Sequence, residues 1–177
     1  MKRAIGVSFI GLMVIGIIIA IFFLVFPKKY EAYIAEYSYQ YGLDKYLVAS
    51  VINIESGYDS QSVSKVGALG LMQILPSTAF DIADRMNIKI VKDDLFDVKT
   101  NIKIGCFYLS YLIEMFDGNI DNALCAYNWG LSNVKKWLDL GNIDESGTIT
   151  NIPIKETHNY LKKYRINRFV YKNIYKV

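Results

Sequence analysis

One histidine and two cysteines are all the imidazole and thiol chemistry in this chain of 177 residues. Cys106 and Cys125 are not spaced as a pair of metal ligands, so a zinc site is not expected. A cysteine nucleophile served by His158 lacks any pairing context. Internal repeats and low-complexity tracts are absent too. No run alternates apolar and polar residues over the length of a strand, which excludes a barrel or a parallel sheet. Charge of one sign is equally scarce: the net charge is +3, and Lys2 and Arg3 supply two of it. The remainder carries no basic excess that would imply a nucleic-acid partner.

What the chain does have is apolar surface, 53% of residues, and 14 tyrosines. Its longest apolar run is Ala4 to Phe26, 23 residues without a charge between Lys2-Arg3 and Lys28-Lys29. At about 1.5 Å per residue such a helix spans a hydrocarbon core of about 30 Å. The run is longer than a signal-peptide core and has no small-x-small cleavage site, so residues 4–26 are expected to stay as a transmembrane signal anchor. Basic residues on both flanks leave the positive-inside rule undecided.

Beyond the anchor the pattern is all-α. Tyr30, Tyr33, Ile34, Tyr37 and Tyr41 share one side of a helix that stops at Gly42. Asp44 is the expected cap of the next helix, Pro76 the start of another, and Asp97 the cap of a long one ending near Gly118. In that long helix Val98, Ile102, Gly105, Leu109, Ile113 and Phe116 form a stripe, with Gly105 expected to admit a neighbouring backbone. Shorter helices are predicted over 120–129, 132–140 and about 154–172, with 141–152 as a loop. The two cysteines fall inside helices and read as buried free thiols, a disulfide being geometrically open.

The chemistry concentrates between Ile54 and Ala79. Glu55 shares a helical face with Val48 and Ile52 at i, i+4, i+7, and it ends that helix, because Ser56-Gly57 follows. An apolar setting and the negative end of a helix both raise a carboxyl pKa, which suits a proton donor. The plainer reading is a helix-end glutamate turned out to solvent. Gly67 and Gly70 then mark a tight turn, without the Gly-Lys-Ser/Thr of a phosphate loop. Met72 and Gln73 follow, a thioether and a neutral amide suited to the apolar face and polar groups of a sugar. Ala126-Tyr127-Asn128-Trp129-Gly130 offers rings to stack on sugar faces and polar tips to orient hydroxyls. Pro153 opens a helix with Glu156 in its first turn.

In order and spacing, Glu55-Ser56-Gly57-Tyr58, Ser64, residues 67–79, Asn101-Ile102 with Gly105 and Tyr108-Leu109, Ala126-Tyr127-Asn128 with Gly130, and Pro153 with Glu156-Thr157 and Tyr160 resemble the catalytic domain of the soluble lytic transglycosylases. The resemblance covers roughly residues 30–175. It departs from the family at Trp129, at Leu131-Ser132 and at His158.

The resemblance implies an all-α, lysozyme-like transglycosylase domain, which the apolar run 4–26 would precede as a single transmembrane helix. It implies cleavage of peptidoglycan glycan strands between N-acetylmuramic acid and N-acetylglucosamine, with 1,6-anhydro products. Glu55 is then the catalytic acid, Ser64, Met72, Gln73, Tyr127, Asn128 and Glu156 bind substrate, and no cofactor or metal is required. The domain would lie outside the cytoplasm on a single-pass cell-membrane anchor, which leaves room for cell-envelope assembly partners. Residues 155–177, with seven Lys and Arg against Glu156 alone, read as a solvated face or as one turned to anionic wall polymers or lipid headgroups. Two alternatives stay open from sequence: a muramidase on the same scaffold, and an inactive membrane-tethered glycan-binding module.

Overall fold

The computed structural model describes residues 2–175, and for residues 2–10 the course of the helix alone. Among the described residues the elements are α1 (Lys2–Val25), α2 (Glu31–Gln40), α3 (Lys45–Ser56), α4 (Pro76–Arg85), α5 (Val98–Met115), α6 (Ile120–Trp129), α7 (Leu131–Asp139) and α8 (Lys155–Phe169). A 3-10 turn, Lys92–Phe96, precedes α5, and a π-helical segment, Val170–Tyr175, continues α8. The only pairing of extended backbone among them is three isolated bridges, as between Val63 and Leu69.

Local chemistry sets most of these boundaries. Asp44 accepts from the Tyr46 amide at 2.9 Å and Asp97 from the Thr100 amide at 2.8 Å, each satisfying a donor that the helix leaves free. Pro76 opens α4, where its missing amide costs nothing. The turn Lys92–Phe96 was not anticipated, because five residues are too few to show a period.

Helix α5 runs through the core, with Ile102, Ile104, Leu109 and Leu112 fully enclosed, as are Val48, Val51 and Ile52 of α3. Each such side chain contributes about 1.5–3 kcal/mol through burial, so Leu109→Ala is expected to cost about 2–5 kcal/mol. Helix α8 packs across α3 and α6 on the inward side chains Tyr160, Leu161 and Tyr164. Cys106 and Cys125 are buried free thiols.

Gly105 differs from expectation in its neighbour. A methyl group there would lie 2.3 Å from Met72 Sδ, so the gap in the α5 stripe receives a side chain rather than a backbone.

The expected anchor, residues 4–26, falls partly outside the described side chains. Among the described residues no helix is long and apolar enough to cross a membrane. Side chains are described from residue 11 onward, and 11–25 amounts to roughly 22 Å of helix at 1.5 Å per residue. The end of α1 is tied to the domain. The Val25 carbonyl accepts from Asn53 Nδ2 at 3.0 Å, and the Pro27 carbonyl accepts from the Tyr171 hydroxyl at 2.9 Å.

Candidate active site

Helix α3 delivers Glu55 in its last turn, and Gly57, in the left-handed region at φ 62°, stops the helix immediately afterwards. With Val48 and Ile52 holding the rest of that face in the core, Glu55 emerges at the floor of a groove. The groove has two adjoining lobes of about 340 and 550 Å³, each lined by Glu55, Ser64, Gln73, Asn128 and Glu156. Both volumes fall in the range of ligand clefts, about 300–1,000 Å³.

Glu55 keeps an edge open to the groove, yet its carboxyl is crowded enough that burial raises its pKa from 4.5 to about 7. The Tyr160 hydroxyl, donating to Glu55 Oε1 at 2.8 Å, opposes that rise, the charge of Glu156 adds to it, and Lys163 opposes it. Near neutrality the group holds a proton that it can give up, as general-acid catalysis requires. Tyr160 is itself buried, and desolvation followed by the charge of Glu55 holds its pKa well above the phenol range. It therefore remains a donor.

The expected substrate-binding residues divide into those on the groove and one away from it. Ser64 lines it, its Oγ accepting from the Ala68 amide at 2.9 Å, which leaves the hydroxyl proton to donate. Asn128 Oδ1 accepts from the Thr157 hydroxyl at 2.8 Å, which turns the Asn128 amide nitrogen into a donor for a ligand. Gln73 sits at φ 47° with its Nε2 donating to the carbonyls of Ser62 and Gly70 at 3.1 and 2.8 Å, so its carbonyl oxygen is the part left for a ligand. Glu156 lines both lobes from the start of α8. Trp129, 38% exposed, stands at the rim.

Met72 is the exception. Its side chain is fully buried against Gly105 and is not part of the groove lining. Its backbone matters instead: the Met72 amide donates to Asn101 Oδ1 at 2.8 Å, and its carbonyl accepts from the Tyr127 hydroxyl at 2.7 Å. Tyr127 lines the groove with its ring 5.3 Å from that of Tyr108. Tyr160 is the tyrosine hydrogen-bonded to the acid, while Tyr127 lies near enough that, after burial, the charge of Glu55 raises its pKa well above the phenol range.

Two functional residues went unassigned from sequence. Tyr160 follows Glu156 at i+4 in a helix opened by Pro153, and that spacing was the available signal. Asn101, buried in α5, also donates through Nδ2 to the carbonyls of Leu69 and Leu95 at 3.0 and 2.7 Å, pinning the turn below the acid. Gly70 makes room for this clamp, since a methyl group there would meet the Leu95 carbonyl at 2.2 Å.

Glu156 is the second carboxylate of the groove, and it is exposed; Asp59, Asp81 and Asp84 are exposed and lie off the groove lining. Among the described residues no three His, Cys, Asp or Glu converge as a metal site.

The model of the transglycosylase SLT domain matches residues 32–146. The soluble lytic murein transglycosylases of Salmonella typhimurium and Escherichia coli are each 33% identical over 141 residues, covering 77% of this chain and 22% of the relative. The chain thus spans about a fifth of the length of these curated relatives. Among solved structures, an inactive mutant of lytic transglycosylase Slt from Pseudomonas aeruginosa is 28% identical with a TM-score of 0.75, covering 85% of this chain and 25% of that one. The 70-kDa soluble lytic transglycosylase in complex with bulgecin A is 32% identical with a TM-score of 0.77, covering 84% and 25%.

Proposed function

The chain belongs to the transglycosylase SLT domain family, and on that premise we propose that it is a peptidoglycan lytic transglycosylase acting between N-acetylmuramic acid and N-acetylglucosamine. The observation that carries this is Glu55, a carboxyl with a pKa near neutrality, held by Tyr160 at the floor of a groove without a second buried carboxylate.

The Glu55 carboxyl gives its proton to the glycosidic oxygen as the C1–O bond breaks. The carboxylate so formed takes the proton of the muramic 6-hydroxyl, whose oxygen bonds to C1. Glu55 ends reprotonated, and water is neither added nor lost. Ser64 and Asn128 supply donors, Gln73 an acceptor and Trp129 an apolar face to hold the sugars.

Glu156 favours a second reading. As a carboxylate on the same groove it is placed to activate water in a muramidase, as two-carboxylate glycosidases do. Mass spectra of digested peptidoglycan separate the two, because anhydro ends weigh about 18 mass units less than water-added ends. Reducing ends alone would overturn the transglycosylase reading.

The proposal extends to location: α1 is a single-pass cell-membrane anchor with the domain outside the cytoplasm. Support comes from the helix Lys2–Val25, which exposes Leu12, Ile18 and Leu24. Fractionation of cells making the full chain or residues 28–177 tests it, since both in the soluble fraction would remove the anchor.

A further inference from the structure

The end of α8 away from the groove carries apolar surface that the core does not use. Its inward side is already filled, with Tyr164, Val170 and Tyr171 buried. Ile166, Phe169 and Ile174 are nonetheless exposed, at 58%, 61% and 53%. Basic side chains stand among them: Arg165, Arg168, Phe169, Lys172 and Asn173 line one cavity of about 360 Å³. Arg165 and Arg168 each hold a carboxylate, Asp121 and Asp44, through one nitrogen, and a guanidinium has further N–H donors to offer. Among the described residues Lys162 and Lys172 are paired with no carboxylate. From Thr157 to Val177 the sequence contains no Asp or Glu.

This same end of α8 meets the place where α1 joins the domain. The Tyr175 hydroxyl donates to the Phe26 carbonyl, and the Tyr171 hydroxyl to the Pro27 carbonyl. The Tyr175 ring lies 5.8 Å from that of Phe22 and 6.2 Å from that of Phe23. Tyrosines held between the last residues of an apolar run and Lys28-Lys29 stand at the level where a spanning helix leaves the hydrocarbon.

We propose that Ile166, Phe169 and Ile174, with Lys162, Arg165 and Lys172 around them, form a foot that rests in an anionic phospholipid surface. The apolar side chains enter the acyl boundary and the cations meet headgroup phosphates. The inference rests on the anchor reading above and adds to it a second contact with the same membrane. Two contacts stop the domain from swinging about α1. The groove, at the other end of α8 and about 20 Å from Phe169 at 1.5 Å per residue, is then held at a set reach from the lipid. Glycan strands lying nearest the membrane are the ones it meets.

The test places an environment-sensitive thiol probe on the full chain through Phe169→Cys or Ile174→Cys, with Leu140→Cys as an exposed control. Cys106 and Cys125 are buried, so the introduced thiol takes the probe. The chains are reconstituted in vesicles of phosphatidylglycerol and phosphatidylcholine that carry a lipid-borne quencher. Probes at 169 and 174 are expected to shift to the blue and lose emission, and the probe at 140 to do neither. Lys172→Gln should lower the ratio of quenched to unquenched probe about fivefold, the scale of one basic residue at an anionic surface, and pure phosphatidylcholine should lower it further. Unquenched probes at both 169 and 174, or equal quenching at 140, overturn the foot. Quenching that ignores both Lys172→Gln and the lipid charge overturns the anionic-surface assignment. Release of the chain by alkaline carbonate removes the anchor reading alone, because quenching at 169 in chains that merely bind the vesicles keeps the foot.

Discussion

Tyr160 of α8 and Glu55 of α3, 105 residues apart in sequence, meet through a 2.8 Å hydrogen bond in which the phenol donates to the carboxyl. The bond favours the charged form of the acid, against the burial that disfavours it. Tyr160→Phe keeps the ring and removes the donor, so the Glu55 pKa rises further. The upper limb of the kcat/KM–pH profile should move to higher pH, and Lys163→Gln should move it the same way. An unchanged limb in both variants would show that neither group faces the acid in solution.

Glu55→Gln keeps the volume and the acceptor for Tyr160 but has no proton to give. Glycan cleavage is expected to fall by about 10²–10⁴-fold or more while glycan binding persists. In the wild type, kcat/KM should decline as pH rises through about 7, where Glu55 loses its proton. Initial rates on soluble strands across that range measure both.

Once ionised, the same acid costs the fold stability. Its folded pKa, about 7, exceeds the ordinary 4.5, so between those values the native state holds the proton more tightly than the unfolded chain. The stability that this provides is fully present below pH 4.5 and is lost as pH rises through 7, to a total of roughly 3 kcal/mol. Thermal melts should therefore show Glu55→Gln gaining on the wild type from pH 5 to pH 8. A constant difference over that range would refute the burial argument.

Gly105→Ala places a methyl group against Met72 Sδ, where the helix backbone allows no retreat. Overpacking of this kind costs about 1–3 kcal/mol. It should also lower activity, since the Met72 carbonyl fixes Tyr127. Adding Met72→Ala should restore part of the loss, and strict additivity in chemical denaturation would mean the two do not press on each other.

Asn101→Leu removes two donors and one acceptor from the turn beneath the groove, and leaves the Leu69 and Leu95 carbonyls and the Met72 amide without them. Unsatisfied buried groups cost about 1–3 kcal/mol each. A stability loss well beyond that of a single hydrogen bond is expected in urea unfolding; a change within error would show that water replaces the amide.

How much of this was legible in the sequence follows from the range of each interaction. The caps Asp44 and Asp97 and the start at Pro76 were readable, because each acts within one helical turn. Glu55 was readable as an acid on an apolar face, but the balance of Tyr160, Glu156 and Lys163 around it depends on α8 crossing α3. No local pattern encodes that crossing. The burial of Met72 was not legible for a related reason: it lies in a turn without periodicity, and whether a turn residue faces a groove or a core is decided by its partner, here Gly105 of α5.

The acid and the wall opposite it come from opposite ends of the domain, with Glu55 on α3 and Tyr160 on α8. During synthesis the proton donor therefore leaves the ribosome some hundred residues before the helix that positions it. A chain interrupted before Lys155 has its carboxyl but no closed groove, and the bond-breaking assembly forms only once α8 has been made. For a protein proposed to cut a load-bearing polymer, the order of synthesis is itself a safeguard.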